Sequence, residues 1–169
     1  MGAGSPLSGY IFVGSTEYGW DAADSLRPGE EDFWDRVPAK KVEVGMPVWV
    51  LQCGEQAKLG RGFHGTARTI LPRDPQPTLA WLRYESRFET PLRLHENGDL
   101  RPNDLPPGDS GVWDDKRLPI LLGIRGGNQG PRPCGFVGTL FPVTRNDELR
   151  ILRLHPMLPK LGQLPRRRP

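Results

Sequence analysis

The sequence has little cysteine, little histidine and no long apolar segment. Its 169 residues include only two cysteines, Cys53 and Cys134, and three histidines. The cysteines lie far apart, and neither has a second Cys or a His at the spacing of a zinc site, so no metal is predicted. They form either two buried thiols or a single disulfide. No cofactor is predicted.

Segments that would direct the chain into or across a membrane are also lacking. The first residues have no basic stretch followed by an apolar one, so no signal peptide is predicted. No run approaches the roughly twenty apolar residues that span a bilayer. We therefore expect a cytoplasmic protein without a membrane partner.

Glycine and proline, in contrast, are abundant. The chain has 21 glycines and 19 prolines, a composition that favours short strands, turns and loops over long helices. Its formal net charge of +3 permits nucleic-acid binding but does not require it. At this length we expect one domain that can bury its own core.

Apolar runs and period-two alternation predict a fold dominated by strands. In segment 78–85 the face through Leu82 and Tyr84 is predicted to point into the core. Segments 41–51 and 59–70 are predicted to pair as a hairpin. The predicted strands are residues 10–14, 41–51, 59–70, 78–85, 88–94, 119–124 and 136–143.

The clearest helix signal begins at Thr144. Its hydroxyl is placed to accept a hydrogen bond from the amide three residues on, as in a capping box. The helix is predicted to end before Pro156, with Leu149, Ile151 and Leu152 on its inward face.

The order of several short motifs resembles EVE domains of the PUA-like superfamily. Residues 10–15 read Tyr-Ile-Phe-Val-Gly-Ser, and Phe33-Trp34 follow. Residues 44–50 then read Val-Gly-Met-Pro-Val-Trp-Val, and residues 60–62 read Gly-Arg-Gly. In EVE domains a first strand of the Trp-Ile-Phe-x-Gly kind leads to a helix, a loop with Trp, and two strands with motifs similar to these.

This resemblance implies an α+β fold, a PUA-like curved β-barrel of five or six strands with short flanking helices. We expect residues 1–8 to form a flexible N-terminus and residues 9–157 the EVE/PUA-like domain. Residues 158–169 are predicted to be a Pro/Arg-rich tail or linker, either solvated, in contact with phosphates, or joined to another domain.

The resemblance also implies a pocket for a flipped base near the end of the first strand. Unstacking a base costs a few kcal/mol, and stacking on an aromatic ring recovers about 1–3 kcal/mol. Trp34 and Trp20 are the best candidates for walls, and Ser15 for reading the base edge; each ring has a core role as its alternative. The predicted pocket residues are Gly14, Ser15, Thr16, Tyr18, Trp20, Phe33 and Trp34.

A binding function without catalysis follows from these predictions. The expected ligand is DNA or RNA that carries a modified base, with methylated or hydroxymethylated cytosine in DNA preferred. The resemblance further implies a specificity domain of a modification-dependent restriction system, with a nuclease domain or subunit as partner. The residues predicted to contact the phosphate backbone are Lys58, Arg61, Arg68 and Arg73.

A second motif favours an enzyme. Residues 108–111 read Gly-Asp-Ser-Gly and resemble the nucleophile loop of chymotrypsin-like serine proteases, in which Ser110 would need a histidine base. His64 and His95 precede Ser110; His64 lacks the Ala-Ala-His-Cys surroundings of that family, and His95 lies near a predicted turn. A serine protease barrel, active or inactive, is therefore the alternative prediction. A protein-interaction module that binds no nucleic acid is the third.

Overall fold

The computed structural model describes residues 5–14, 29, 31–34, 42–52, 62–71, 80–93, 113–122 and 139–163. Six strands and two helices lie in these residues, followed by a 3-10 helix at Leu161–Gln163. The strands are β1 (Leu7–Gly14), β2 (Glu31–Trp34), β3 (Pro47–Gln52), β4 (Gly62–Ile70), β5 (Ala80–Arg93) and β6 (Leu140–Thr144). The helices are α1 (Leu118–Leu121), a single turn, and α2 (Arg145–Leu154).

The six strands form one mixed sheet in the order β2-β5-β4-β3-β1-β6. β1 and β3 run parallel, whereas the other neighbouring pairs are antiparallel. The predicted pairing of the segments that contain β3 and β4 is confirmed. Within the described residues, no pairing joins the edge strands β2 and β6. The predicted α+β class is therefore confirmed, and the sheet as described is open.

One face of the sheet is covered by the helices. Because side chains alternate along a strand, Ile11 and Val13 of β1 lie on this face with Trp49 and Leu51 of β3. The residues that join them in one buried cluster are Phe63, Trp113, Leu118, Leu121, Leu122, Phe141, Val143, Ile151, Leu158 and Leu161. The alternate residues form a second buried cluster on the opposite face: Tyr10, Phe12, Met46, Val48, Val50, Ala67, Leu82, Tyr84 and Leu140. The predicted core side of segment 78–85 is thus confirmed.

Two strand predictions need correction. Segment 119–124 was predicted as a buried strand, but α1 begins at Leu118, and Pro119 fits the first turn of a helix. The buried leucines 118, 121 and 122 have helical spacing, a signal that the apolar run obscured. β3 begins only at Pro47 because Gly45 adopts φ +86, a left-handed conformation that interrupts the strand predicted from residue 41.

Two further differences concern strand length and number. β5 is one strand, Ala80–Arg93, where two were predicted; its pairing with β4 shifts register twice along the way. β2 was not predicted as a strand. It is only four residues long, and its one described partner is the start of β5. Both outcomes depend on strand partners that local sequence patterns do not identify.

Helix α2 begins as predicted. The Thr144 side chain accepts a hydrogen bond from the Asp147 amide at 3.2 Å, and the helix ends at Leu154, before Pro156. Ile151 is buried as predicted, but Leu149 is 44% exposed, so its predicted inward position is wrong. Asp147 and Glu148 occupy the buried face instead.

The packed part of the chain extends beyond the predicted domain boundary at residue 157. Leu158 and Leu161 belong to the buried cluster beneath the helices. Trp49 Nε1 donates to the Pro159 carbonyl at 2.9 Å, and the Leu161 amide donates to Glu148 Oε2 at 2.7 Å. The boundary is therefore several residues too early, because these apolar positions lie inside a segment rich in proline.

Among the described helices, none is long and apolar enough to cross a bilayer.

Gly65 allows the close approach of β4 and β5, which suggests a test of the sheet. A Cβ at this position would overlap the Ser86 carbonyl oxygen on β5. We expect Gly65→Ala to lower the free energy of unfolding by about 2 kcal/mol, measured by urea denaturation. Gly162→Ala is the matched control, because nothing lies within 4 Å of its Cβ position. Equal stability of the two variants would contradict the strand contact.

Candidate nucleic-acid interface

The structure describes three of the seven predicted pocket residues. Gly14 is the last residue of β1, and Phe33 and Trp34 end β2. The other four, Ser15, Thr16, Tyr18 and Trp20, lie outside the described residues, as do Lys58, Arg61 and Arg73 of the predicted backbone contacts. The described residues therefore give the positions of two strand ends that were predicted to reach the pocket, Gly14 of β1 and Trp34 of β2.

These two ends lie at different levels of the sheet. Gly14 pairs with Gln52, which in turn pairs with Gly62 at the start of β4. Trp34 pairs with Ala80, next to the pair between Trp81 and Ile70 at the other end of β4. β4 is 9 residues long and the Trp34 level lies one residue beyond its end, so the two levels are about 30 Å apart along the strands. In strand order β2 and β1 are also separated by three strands. The pairing of neighbouring strands alone does not bring Gly14 and Trp34 together.

Gln52 is a site candidate that the sequence interpretation did not include. It ends β3 in register with Gly14, and its side chain is fully buried. A primary amide carries both donors and acceptors, which are the groups that read base edges. The local signal is a polar residue directly after the apolar run of β3.

Arg68 was predicted to contact phosphate, and the structure corrects this. Its side chain is 2% exposed. Nε donates to Glu85 Oε1 at 2.6 Å, and Nη1 donates to the Gly45 carbonyl at 2.8 Å. The guanidinium thus joins β4 to β5 and to the turn before β3. Burial on the sheet, which charge alone does not reveal, prevents a contact with nucleic acid.

A second ion pair holds β2 on the sheet. Arg83 of β5 donates from Nε and Nη2 to Glu31 Oε2, each at 3.2 Å, and both side chains are about one quarter exposed. Because β2 pairs only with β5 in the described sheet, this contact helps to position the strand that contains Phe33 and Trp34.

A carboxylate cluster lies where α2 meets the turn before α1. The Asp147 carboxylate is buried and accepts hydrogen bonds from the amides of Asp114 and Asp115 at 2.9 and 3.0 Å. Burial raises the pKa of Asp147, and these two hydrogen bonds act in the opposite direction. Burial also acts to raise the pKa of Asp115, but hydrogen bonds from Arg117 leave it lowered. The two hydrogen bonds to Asp147 hold the turn against α2, whereas the Arg117–Asp115 contacts are local to the turn.

The described residues contain no group of three or more His, Cys, Asp or Glu side chains arranged to hold a metal ion. Of the residues relevant to the protease alternative, Ser110 and His95 lie outside the description. His64 is buried at the register shift between Phe63 and Gly65, and His155 packs edge-on against Phe63 with ring centroids 5.5 Å apart. Both described histidines are therefore parts of the packed interior.

Comparisons with known proteins find few similar chains. No family model matches this sequence, and no curated protein matches it. Among solved structures, a Pseudomonas putida protein from a structural genomics programme is 16% identical, with a TM-score of 0.47 over 86% of this chain and 97% of that one. A hypothetical protein from Leishmania major is 16% identical, with a TM-score of 0.45 over 87% of this chain and 93% of that one.

The two arginine pairs differ in burial, which predicts different effects on stability. Arg68→Met leaves Glu85 poorly solvated and the Gly45 carbonyl without this donor, and we expect a loss of about 3 kcal/mol in the free energy of unfolding. Arg83→Met, at a more exposed pair, should cost about 1 kcal/mol or less. Urea denaturation of both variants provides the measurement. A smaller cost for Arg68→Met than for Arg83→Met would contradict the assignment.

The opposite pKa shifts of Asp147 and Asp115 predict opposite effects of pH. A raised native pKa means that the folded state retains a proton that the unfolded chain has lost. The contribution of Asp147 to stability therefore falls as pH rises from about 4 through the native pKa. We expect the stability of Asp147→Asn, relative to the unsubstituted protein, to increase over this range.

Asp115→Asn is the matched comparison. The lowered native pKa of Asp115 contributes stability that is present above the unfolded value and is lost as pH falls through the native value. The relative stability of this variant should therefore decrease as pH rises from strongly acidic values towards about 4. Urea denaturation across this acidic range and at neutral pH measures the stability of both variants relative to the unsubstituted protein. Parallel pH profiles for the two variants would refute the assigned shifts.

Proposed function

We propose that this chain is a nucleic-acid-binding module of the EVE/PUA-like kind that holds a flipped, modified base. The preferred ligand is DNA with methylated or hydroxymethylated cytosine, and a nuclease domain or subunit is the proposed partner. The observation that carries the proposal is the stagger between the β-strand ends that hold Gly14 and Trp34.

An offset of this size along the strands is close to what six strands need in order to close into a small barrel. Six strands about 4.8 Å apart span about 29 Å across the sheet, and the two levels differ by about 30 Å along it. The ratio corresponds to a strand tilt of about 46°, close to the upper end of the range of about 35–45° found in barrels. In a barrel closed between β2 and β6, a stagger of this size would bring the end of β2 towards the level of Gly14.

Burial of the second sheet face supports the same closure. Phe12, Val48 and Val50 are fully buried on the face opposite α1 and α2. A sheet that curves onto itself buries its inner face in this way. The register alternation puts Gly14 and Gln52 on this same face, because both continue the even-numbered positions of β1 and β3. A pocket at this end of the barrel would have a buried amide at its base.

The proposed pocket binds a base and carries out no chemical step. Trp34 and Trp20 stack on the extruded base, and Ser15, Gln52 and nearby backbone groups bond its edge. Arg61 and Lys58 position the phosphate backbone, whereas Arg68 acts inside the fold. Stacking and edge contacts are insensitive to salt compared with phosphate contacts, so discrimination among bases should survive at a salt concentration that removes non-specific binding.

The decisive test is fluorescence anisotropy with a matched panel of DNA and RNA oligonucleotides at two salt concentrations. The panel contains unmodified, methylated and hydroxymethylated bases. We expect preference for one modification at the higher salt concentration, and we expect Trp34→Ala to weaken that binding by about 10-fold or more, equivalent to the loss of one stacked base.

Control variants separate a pocket role from a structural one. Trp34→Phe keeps a stacking surface and should retain part of the preference, and the circular dichroism of each variant must remain native. Uniform binding that added salt abolishes would exclude a base-reading pocket. Labelling of Ser110 by a fluorophosphonate would instead support the protease alternative, and we expect no labelling.

A further inference from the structure

We propose that the outer face of α2 is a docking surface for an acidic segment of a partner protein, and that this segment also carries apolar anchor residues. The surface, named the α2 surface here, consists of Arg145, Leu149, Arg153 and Met157. It is separate from the proposed base pocket, and the proposal does not depend on that pocket.

The acidic residues of α2 are turned away from solvent. Asp147 and Glu148 are both fully buried. Asp147 accepts the two amide hydrogen bonds from the turn before α1, and Glu148 accepts from the Leu161 amide and from Arg145. Both carboxylates are thus committed to internal contacts: Glu148 offsets part of the Arg145 charge, and neither carboxylate is exposed on the outer side of the helix.

Two of the three arginines of α2 have the opposite orientation, whereas Arg150 packs over the Trp113 ring at 5.5 Å. The Arg145 side chain is 51% exposed even while it contacts Glu148, and Arg153 is exposed. Positions 145, 149 and 153 are spaced by four residues, so they form one stripe along the helix. The exposed face of α2 therefore presents two arginines with Leu149 between them.

Two large apolar side chains on this surface are exposed. Leu149 is 44% exposed, and Met157, two residues past the helix cap, is 78% exposed. One exposed leucine needs no explanation. A leucine framed by two arginines and followed by an exposed methionine is different, because Arg and Met are enriched at protein interfaces and Met adapts to irregular partners.

Charge complementarity and the apolar residues together select the partner. Two arginines without exposed acidic residues on the same helix favour a negatively charged segment. A phosphate backbone offers nothing apolar to cover Leu149 and Met157, whereas an amphipathic acidic helix offers both kinds of contact at four-residue spacing. We therefore assign the surface to an acidic, amphipathic peptide segment and not to nucleic acid.

The test uses a fluorescein-labelled synthetic helix with leucines on one face and glutamates beside them. We expect saturable binding, and the double variant Leu149→Ala/Met157→Ala should weaken it by about 10-fold or more. Arg153→Glu should weaken it to a similar degree. Because these side chains are exposed, their urea midpoints should remain close to that of the unsubstituted protein.

Leu71→Ala is the matched control, since Leu71 is 55% exposed at the end of β4 and its substitution should not change the affinity for the peptide.

No saturable binding, or equal binding of a scrambled peptide of the same composition, would overturn the proposal. Displacement by unmodified duplex DNA, with the same loss in Arg153→Glu, would identify a phosphate-binding surface instead. Self-association in sedimentation velocity that Leu149→Ala/Met157→Ala abolishes would assign the surface to a second copy of the chain. Either result would refute a peptide partner, and neither would bear on base recognition.

Discussion

The parallel pairing of β1 with β3 is the constraint on which the rest of the structure depends. Parallel neighbours cannot be joined by a tight turn, so the chain must leave the sheet after Gly14 and return before Pro47. β2 lies within this crossover and joins the far edge, beside β5. The same pairing sets the carboxyl ends of β1 and β3 at one level, where Gly14 meets Gln52. The level at which Gly14 meets Gln52 thus follows from chain topology before any ligand is considered.

Buried polar side chains fix segments that the two apolar clusters alone do not position. Arg68 joins two strands and a turn, Asp147 holds the turn before α1, and Glu148 fixes the 3-10 helix through Leu161. Each of these side chains would be costly to bury alone, and each has hydrogen-bond partners in the backbone, a charged group or both. The turn before β3, the turn before α1 and the 3-10 helix lie outside the strands, so side-chain hydrogen bonds specify positions that strand pairing does not.

The sequence interpretation succeeded where the signal is local and failed where it depends on distant partners. The Thr144 cap, the buried side of Leu82 and Tyr84, and the apolar β3 follow from spacing and alternation within one segment. β2 could not be predicted in this way, because its pairing partner lies far along the chain. The burial of Arg68 likewise depends on Glu85 in the next strand, so charge alone suggested an exposed phosphate contact. Most of the predicted pocket lies in segments outside the description, and its roles remain predictions.

The formal net charge of +3 understates the positive charge that the helical side presents to a partner. Asp147 and Glu148 are counted in that balance, yet both are buried with internal hydrogen-bond partners. Arg145 and Arg153 remain exposed on the same helix, so the local field there is more positive than the overall composition indicates. Gly14 and Gln52 lie on the opposite face of the sheet from α2, by the alternation of β1 and β3. A base at the proposed pocket and an acidic segment on the α2 surface would therefore occupy different faces, so the two proposed ligands would not compete for one surface. This separation suits a module that recognises a modified base while it is attached to the protein that acts on the nucleic acid.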